Sequence, residues 1–412
     1  MEAIILAGGI GTRLKNVSDH TPKSMAILNG RPFLEYQMDI FIEQGVTNFV
    51  LSVGYKSEQI QNHFKNVYKD CSIAYAVEEE LLGTGGAIKN AMRFTKKEDV
   101  VVANGDSIVV SDLQKQYEFH LHKKASVTLA LKQMKDFERY GTVQFDADFR
   151  IHEFFGKRPI SEGIINAGLY IFNVKSFTER DWPEKFSIEK DYFEACVKSA
   201  NLYGFVMNGY FLDIGIPADF EKAQTEIGTF FKIDKSWSLF LDRDGVINKK
   251  RDNDYVKSIE ELEFLPGALS AISLLSNYFG KIFIVTNQQG IGKELMTEED
   301  LSAIHTHLLN CIQENGGQID GIYHAPSLVK ENSEMRKPNI GMALKAKQEH
   351  PSVAFEKSIL VGDSPSDMEF GKNAGMTNVM IQKELIEEQY SLASLSDFVE
   401  LIESIFEPVG RG

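Results

Sequence analysis

The sequence predicts an α/β protein of two consecutive domains, and three observations carry that expectation. The chain has 412 residues, long for a single hydrophobic core. Short apolar runs alternate with amphipathic stretches in two separate series, the pattern of parallel strands linked by helices. Each series also opens on a phosphate-handling motif at the end of its first apolar run. The first is Leu6-Ala-Gly-Gly-Ile-Gly-Thr-Arg-Leu14, and the second is Phe240-Leu-Asp-Arg-Asp-Gly-Val-Ile-Asn248.

In the first series, strands are expected at Ala3–Leu6, Phe49–Val53, Ile73–Val77 and Val100–Ala103, with helices at Leu34–Glu43, Glu58–Phe64 and Ala87–Met92. Beyond about residue 125 the strands crowd together (Val127–Leu131, Thr142–Phe145, Ile151–Phe155, Leu169–Phe172), which suggests an antiparallel addition carrying substrate contacts. The first sheet is therefore expected to be mixed, with helices on both faces. Pro217 opens a helix through Ile227, where proline suits the first turn. Gly228–Ser236 reads as a short connection, giving domains at 1–230 and 236–412. The second series places strands at Leu239–Asp242, Ile282–Thr286, Ile359–Gly362 and Asn378–Ile381, with helices at Ala268–Tyr278, Glu298–Asn315, Met342–His350 and Asp397–Phe406.

Composition narrows the function. A formal net charge of −15 argues against a nucleic-acid binder, which needs a basic surface. It leaves anionic small substrates open, because a local basic cluster or a metal ion can dominate a cleft. Cys71, Cys196 and Cys311 are far apart and form no zinc-type pair, so they read as thiols of a reducing compartment. The chain begins without a basic leader, and no apolar stretch reaches membrane-spanning length. A soluble, cytoplasmic protein with neither nucleic-acid nor membrane partners is expected; its oligomeric state is left open. The nine histidines form no metal array, and His305 and His307, two apart on a helix, point to different faces and are expected in surface or helix roles.

In the first half, Gly8, Gly9 and Gly11 let the backbone turn tightly, so that successive amides can face a triphosphate. Thr12 belongs to the same loop, Arg13 adds a forked cation, and Lys23 can return a second one. A glycine-rich turn alone could equally be a tight connection between strand and helix. The whole arrangement, Gly-Gly-x-Gly-Thr-Arg-Leu followed by Pro22-Lys23, is more specific. It resembles the sugar-1-phosphate nucleotidyltransferases over about the first 225 residues.

The resemblance implies roles for further segments. Leu82-Gly-Thr-Gly-Gly-Ala-Ile88 corresponds to the family's base-contacting loop, which puts Gly83 and Thr84 at the nucleotide. Asn104-Gly-Asp106 and Leu212-Asp-Ile-Gly-Ile-Pro217 carry Asp106 and Asp213, the implied Mg²⁺ carboxylates. Asn166 and Gly168 lie in the implied sugar-contacting segment, and Lys157 is placed to meet the sugar phosphate. The family's Glu-Lys pair is here Gly156-Lys157, a departure that suggests a non-standard or bulkier sugar. Transfer onto a sugar phosphate brings two anions together, so positioning and charge neutralisation by Mg²⁺, Arg13 and Lys23 suffice for catalysis.

In the second half, Asp242 and Asp244 stand at the C-terminal end of a strand, where parallel sheets bind ligands. Asp242 can attack phosphorus, while Asp244 can protonate the leaving alcohol and later activate water. Thr286 and Asn287 end a second strand, Arg336 and Lys337 precede Pro338, and Asp363 ends a further strand with Asp367 behind it. In this order the segments resemble the haloacid dehalogenase-like (HAD-like) phosphatases, within them the heptose bisphosphate and histidinol phosphatase branch. That resemblance implies a parallel sheet with a minimal cap, Thr286 and Lys337 at the transferred phosphate, Asn287 and Arg336 at the sugar phosphate, and Mg²⁺ on Asp242, Asp244 and Asp363. Relatives often carry a zinc loop before Arg-Lys-Pro; Tyr323–Met335 has no cysteine and only His324, so no zinc is expected.

Together the resemblances imply two Rossmann-like domains and a bifunctional enzyme. The second domain would remove the 7-phosphate of D-glycero-D-manno-heptose 1,7-bisphosphate, and the first would transfer GMP from GTP, or a nucleotidyl group from another NTP, to heptose 1-phosphate. Two other readings stay open: a hexose-1-phosphate nucleotidyltransferase joined to a histidinol-phosphate-type phosphatase, and a nucleotide-sugar-binding regulator with inactive centres.

Overall fold

The structure, a computed structural model, describes residues 1–9, 21–251, 254–382 and 391–406. The chain divides into two compact units: Met1–Ile227 with the end of the last helix, and Gly228–Glu403. Among the described residues, no helix is long and apolar enough to cross a membrane.

The first unit is built on a ten-stranded mixed sheet. Strands β1 (Glu2–Leu6), β2 (Asn48–Val53), β3 (Cys71–Val77) and β4 (Asp99–Asn104) run parallel in the order β4-β1-β2-β3. Helices α1 (Phe33–Glu43), α2 (Ser57–Phe64) and α3 (Gly83–Met92) link them, and α4 (Leu113–Lys123) follows β4. The continuous apolar content of β1, β2 and β4 fits strands covered on both faces. The denser strands form the expected antiparallel addition: β5 (Val127–Phe137), β6 (Thr142–Phe145), β7 (Ile151–Phe155) and β8 (Ile160–Asn173), with β8 antiparallel to β4 and β5. Two points differ from expectation. Strand β9 (Leu202–Met207) was not anticipated and pairs parallel with β5. Residues 83–86, expected as a loop ahead of the helix at Ala87–Met92, are already part of α3.

Helix α5 (Pro217–Thr229) leads to a single 3-10 turn at Phe230–Lys232, so part of the expected connection is helical. In the second unit, β10 (Ser238–Leu241), β11 (Lys281–Asn287), β12 (Gly321–Ala325), β13 (Ser358–Gly362) and β14 (Thr377–Ile381) form a parallel sheet in the order β12-β11-β10-β13-β14, with Ser391–Leu392 at its edge. This is the doubly wound order, which reverses direction beside β10 and opens a crevice at the strand ends there. Helices α6 (Ala268–Leu275), α7 (Glu298–Glu314), α8 (Gly341–Glu349), α9 (Pro365–Ala374) and α10 (Leu395–Phe406) complete the series. The unanticipated β12 contains His324, and the unanticipated α9 starts on Ser364, whose capping box with Asp367 fixes the first turn. Phe240, Phe283, Leu360 and Phe370 centre the core of this unit.

Candidate functional site

In the first unit, β4 ends in a tight turn that presents Asp106. The Gln37 amide donates to the carbonyls of Asn104 and Ser107 at 2.7 and 2.9 Å, pinning that turn from beneath. Asp213 arrives by strand pairing, opposite Ser107 in the short antiparallel pair of Phe211–Asp213 with Ser107–Val109. Lys23 stands between the two acids, 2.6 Å from Asp106 Oδ2 and 3.6 Å from Asp213 Oδ1. Burial, and then the negative Asp106, push the Asp213 carboxyl above its ordinary range against Lys23 and Arg139. Among the described residues, the buried Asp213 Oδ1 has no hydrogen-bond donor, and the nearby cation is Lys23 at 3.6 Å.

Two cavities meet at this cluster. One, of about 290 Å³, is lined by Gly8, Gly9, Lys23, Glu78, Gly83, Thr84, Asn104 and Asp106. The other, of about 350 Å³, is lined by Lys23, Asp106, Arg139, Tyr140, Lys157, Asn166, Gly168, Glu189 and Asp213. The structure thus brings Gly8, Gly9, Gly83 and Thr84 to one cavity and Lys157, Asn166 and Gly168 to the other, with Asp106 lining both. Gly11, Thr12 and Arg13 lie outside the described residues. The Thr84 hydroxyl accepts a hydrogen bond from the Ile188 amide, so it also braces the cavity wall. Asn166 accepts from the Gly168 amide and donates to the Tyr170 hydroxyl, where the register of β5 against β8 shifts. Gly168 has φ +77°, and a Cβ there would lie 2.5 Å from the Asn104 amide nitrogen, so this bend requires glycine.

Sequence reasoning missed Glu78, Arg139, Tyr140 and Glu189. Glu78 accepts from Ser52 Oγ at 3.0 Å and from the Leu82 amide at 3.1 Å, which fixes its carboxylate on the rim of the first cavity. Arg139 is paired with Asp219 and stacks near Tyr140.

In the second unit, the crevice beside β10 holds a cavity of about 250 Å³, lined by Asp242, Asp244, Lys250, Thr286, Asn287, Arg336, Lys337, Asp363 and Asp367. Lys337 Nζ donates to Asp242 Oδ1 at 2.7 Å and to the Val285 carbonyl at 2.8 Å, and lies 2.5 Å from Asp367 Oδ1. Burial pushes the Asp242 carboxyl up to about 7 against the pull of Lys337, with Asp367 and Asp244 adding to the rise. Asp242, Asp363 and Asp367 bring carboxylate oxygens within 4.8 Å of one another, a hard oxygen set that suits Mg²⁺. Lys250 donates to both oxygens of Asp363. Gly245, at φ +97°, must be glycine, because a Cβ there would fall 2.1 Å from Asp363 Oδ2.

The structure adds detail to three expectations here. Asp244 does not join the oxygen cluster through its carboxylate; that group is tied to Arg243, Asn248 and Gln288, and Asp367 completes the set instead. Asn287, expected at a sugar phosphate, lines the cavity and also exchanges two hydrogen bonds with the Lys337 backbone, which aims that lysine. His305, expected in a surface or helix role, is buried beside Arg243, which leaves it on the inner face of α7. Thr286 Oγ1 accepts from Gln288, and Arg336 donates to the Ser327 carbonyl while lining the cavity.

Burial first, then the positive Arg243, push His305 down to about 3. Below about pH 6.5 the unfolded chain protonates this histidine while the folded chain does not, so folding stability falls with falling pH by about 1.4 kcal/mol per unit. Between pH 7 and pH 5 the histidine should therefore cost the second unit about 2 kcal/mol, a loss absent in His305→Phe. Denaturant unfolding of both proteins at the two pH values measures it; identical pH dependence would contradict the assignment.

The Nucleotidyl transferase family profile matches residues 2–229, and the Polynucleotide kinase 3 phosphatase profile matches residues 237–393. The D-glycero-alpha-D-manno-heptose 1-phosphate guanylyltransferase of Aneurinibacillus thermoaerophilus is 49% identical over 227 residues, 55% of this chain and 98% of that protein. The crystal structure of HddC from Yersinia pseudotuberculosis complexed with GMP-PN aligns with 55% of this chain and 99% of that one, at 37% identity and a TM-score of 0.50. A D,D-heptose 1.7-bisphosphate phosphatase from B. bronchiseptica, complexed with magnesium and phosphate, aligns with 40% of this chain and 96% of that one, at 29% identity and a TM-score of 0.37. With more than half its length matched by one family, a glycine-rich first strand end and two acids around Lys23, this chain belongs to the nucleotidyl transferase family.

Proposed function

We propose that the chain performs two consecutive steps on one heptose phosphate, with domains at 1–230 and 236–412. The second domain removes the 7-phosphate of D-glycero-D-manno-heptose 1,7-bisphosphate, and the first joins GMP from GTP to the resulting heptose 1-phosphate, giving GDP-heptose and pyrophosphate. The observation that carries this reading is the pair of cavities meeting at Lys23 and Asp106 in one unit, together with a lysine-paired aspartate at a strand mouth in the other. The similarity to a heptose 1-phosphate guanylyltransferase supports the sugar and the base.

In the transfer step, an oxygen of the sugar 1-phosphate attacks the α-phosphorus of GTP, and the bond to pyrophosphate breaks. Gly8, Gly9, Gly11 and Thr12 cradle the triphosphate, Arg13 and Lys23 balance its charge, and Gly83 and Thr84 frame the base. The Glu78 carboxylate accepts hydrogen bonds only, so it suits the adjacent N1–H and N2–H donors of guanine better than adenine, whose amino group stands beside an acceptor nitrogen. Lys157 holds the sugar phosphate, with Asn166 and Gly168 against the ring. In the phosphatase step, an Asp242 oxygen attacks phosphorus, the bond to the sugar oxygen breaks, and Asp244 gives that oxygen a proton. Water then attacks the aspartyl phosphate and returns a proton to Asp244, freeing phosphate. Thr286, Lys337, Asn287 and Arg336 hold the phosphate groups or the elements that present them.

Mg²⁺ held by Asp106 and Asp213, and in the other domain by Asp242, Asp363 and Asp367 with Asp244 nearby, would neutralise charge on the phosphoryl oxygens. All these donors are hard oxygens, which favours magnesium over zinc. The acidic chain suits small-molecule partners better than nucleic acid, and three free thiols suit the cytoplasm. Incubating the protein with the bisphosphate and each of four NTPs, with products read by mass spectrometry, should give GDP-heptose from GTP. No phosphate release, or no nucleotide-heptose with any NTP, would overturn the proposal.

A further inference from the structure

Arg243 lies between the two aspartates of the motif and points into the body of the second unit. Its side chain is fully buried, yet its guanidinium serves the cavity: Nη2 donates to both Asp244 oxygens, at 3.0 and 2.9 Å. Nη1 reaches His305 Nε2 at 3.3 Å. Burying a guanidinium is costly, and an apolar side chain would fill such a space at less expense to stability. Burial next to a reacting carboxylate therefore calls for an explanation beyond packing.

We propose that Arg243 is a positioning residue for proton transfer by Asp244, held in its own place by His305. This rests on the phosphatase reading above, in which Asp244 protonates the leaving sugar oxygen. The guanidinium fixes Asp244 from behind through Nη2 while its Nη1 meets His305, and Asn248 and Gln288 each donate to one Asp244 oxygen at 2.8 Å from the sides. The Asp244 side chain keeps 23% of its surface exposed, on the side facing the cavity. His305, kept neutral by burial and by Arg243, retains a ring nitrogen able to accept from Nη1. A proton donor must lie within hydrogen-bond reach of the departing oxygen and aim at it, so a loosened Asp244 should slow only the substrates that need its proton.

The test compares kcat/KM, which reads phosphoenzyme formation, for the sugar bisphosphate and for p-nitrophenyl phosphate, whose phenolate departs without a proton. Arg243→Lys keeps the charge but, with a single nitrogen, cannot hold Asp244 and His305 together, and should lose about tenfold more on the sugar bisphosphate than on the aryl phosphate. His305→Phe should shift the ratio the same way by a smaller factor, and it decides the matter if the Arg243 variant does not fold. Asp244→Asn is the control. A selective loss in Asp244→Asn with no change of ratio in either other variant overturns the positioning role and leaves the phosphatase reading intact. No selective loss in Asp244→Asn overturns the proton-donor reading itself, and with it this inference.

Discussion

Asp242→Asn should abolish phosphate release, by about 10⁴-fold or more, while transfer from GTP to supplied heptose 1-phosphate stays within about twofold of the parent. An amide in place of the carboxylate cannot form the aspartyl phosphate, and none of the neighbours can take over. Lys337 is a cation already bound to the acids, and Asp367 is tied to Lys337 and to the first turn of α9. The loss should not come from unfolding. Lys337 keeps Asp367 at 2.5 Å and the Val285 carbonyl at 2.8 Å, so its charge is not stranded. Asp242 itself is held up to about 7 by burial, so replacing it with a neutral isostere removes an unfavourable buried charge. Phosphate release from the bisphosphate and nucleotide-heptose formation from the monophosphate, measured on the same preparation, check both halves. Loss of both activities in a folded protein would refute the two-site reading.

The two strand-end motifs were legible because their chemistry is local: Asp242 and Asp244 are two residues apart, and Gly8 and Gly9 closely follow β1. Partners supplied by packing were not. Glu78, Arg139 and Glu189 reach the cavities from separate segments, and no spacing in the chain relates them to Asp106. Strand β12, Gly321–Ala325, is short and includes a histidine, so it lacks the apolar run that betrays its neighbours. His305 was within reach of the sequence: Leu301, Ile304, Leu308 and Ile312 set a buried stripe on α7, and position 305 falls inside it. A surface or helix role left its burial open, and the periodicity decides it. Asp367 was seen only as standing behind Asp363, because the turn that brings both to Asp242 depends on the capping box of α9.

Asp106→Asn should give the opposite result: a loss of about 10³-fold in kcat/KM for nucleotidyl transfer, with phosphate release unchanged. Asp106 and Lys23 line both cavities, and on the proposed reading the reacting phosphates meet beside them. The amide keeps the shape of the turn, which Gln37 holds through backbone carbonyls that the substitution leaves in place. It also removes the like charge that helps raise Asp213, so the remaining acid ionises more readily and still faces Lys23. On the proposed reading, what would be lost is one of two negative charges that hold Mg²⁺ against the reacting phosphates. Asp213→Asn should therefore cost a similar factor, and the double variant little more than the worse single one, since groups that act as a unit do not add. Steady-state transfer assays on the three variants, alongside phosphate release from each, make the comparison. Two independent losses that multiply would mean the acids serve separate steps, and transfer within about tenfold of the parent in Asp106→Asn would remove this residue from the site.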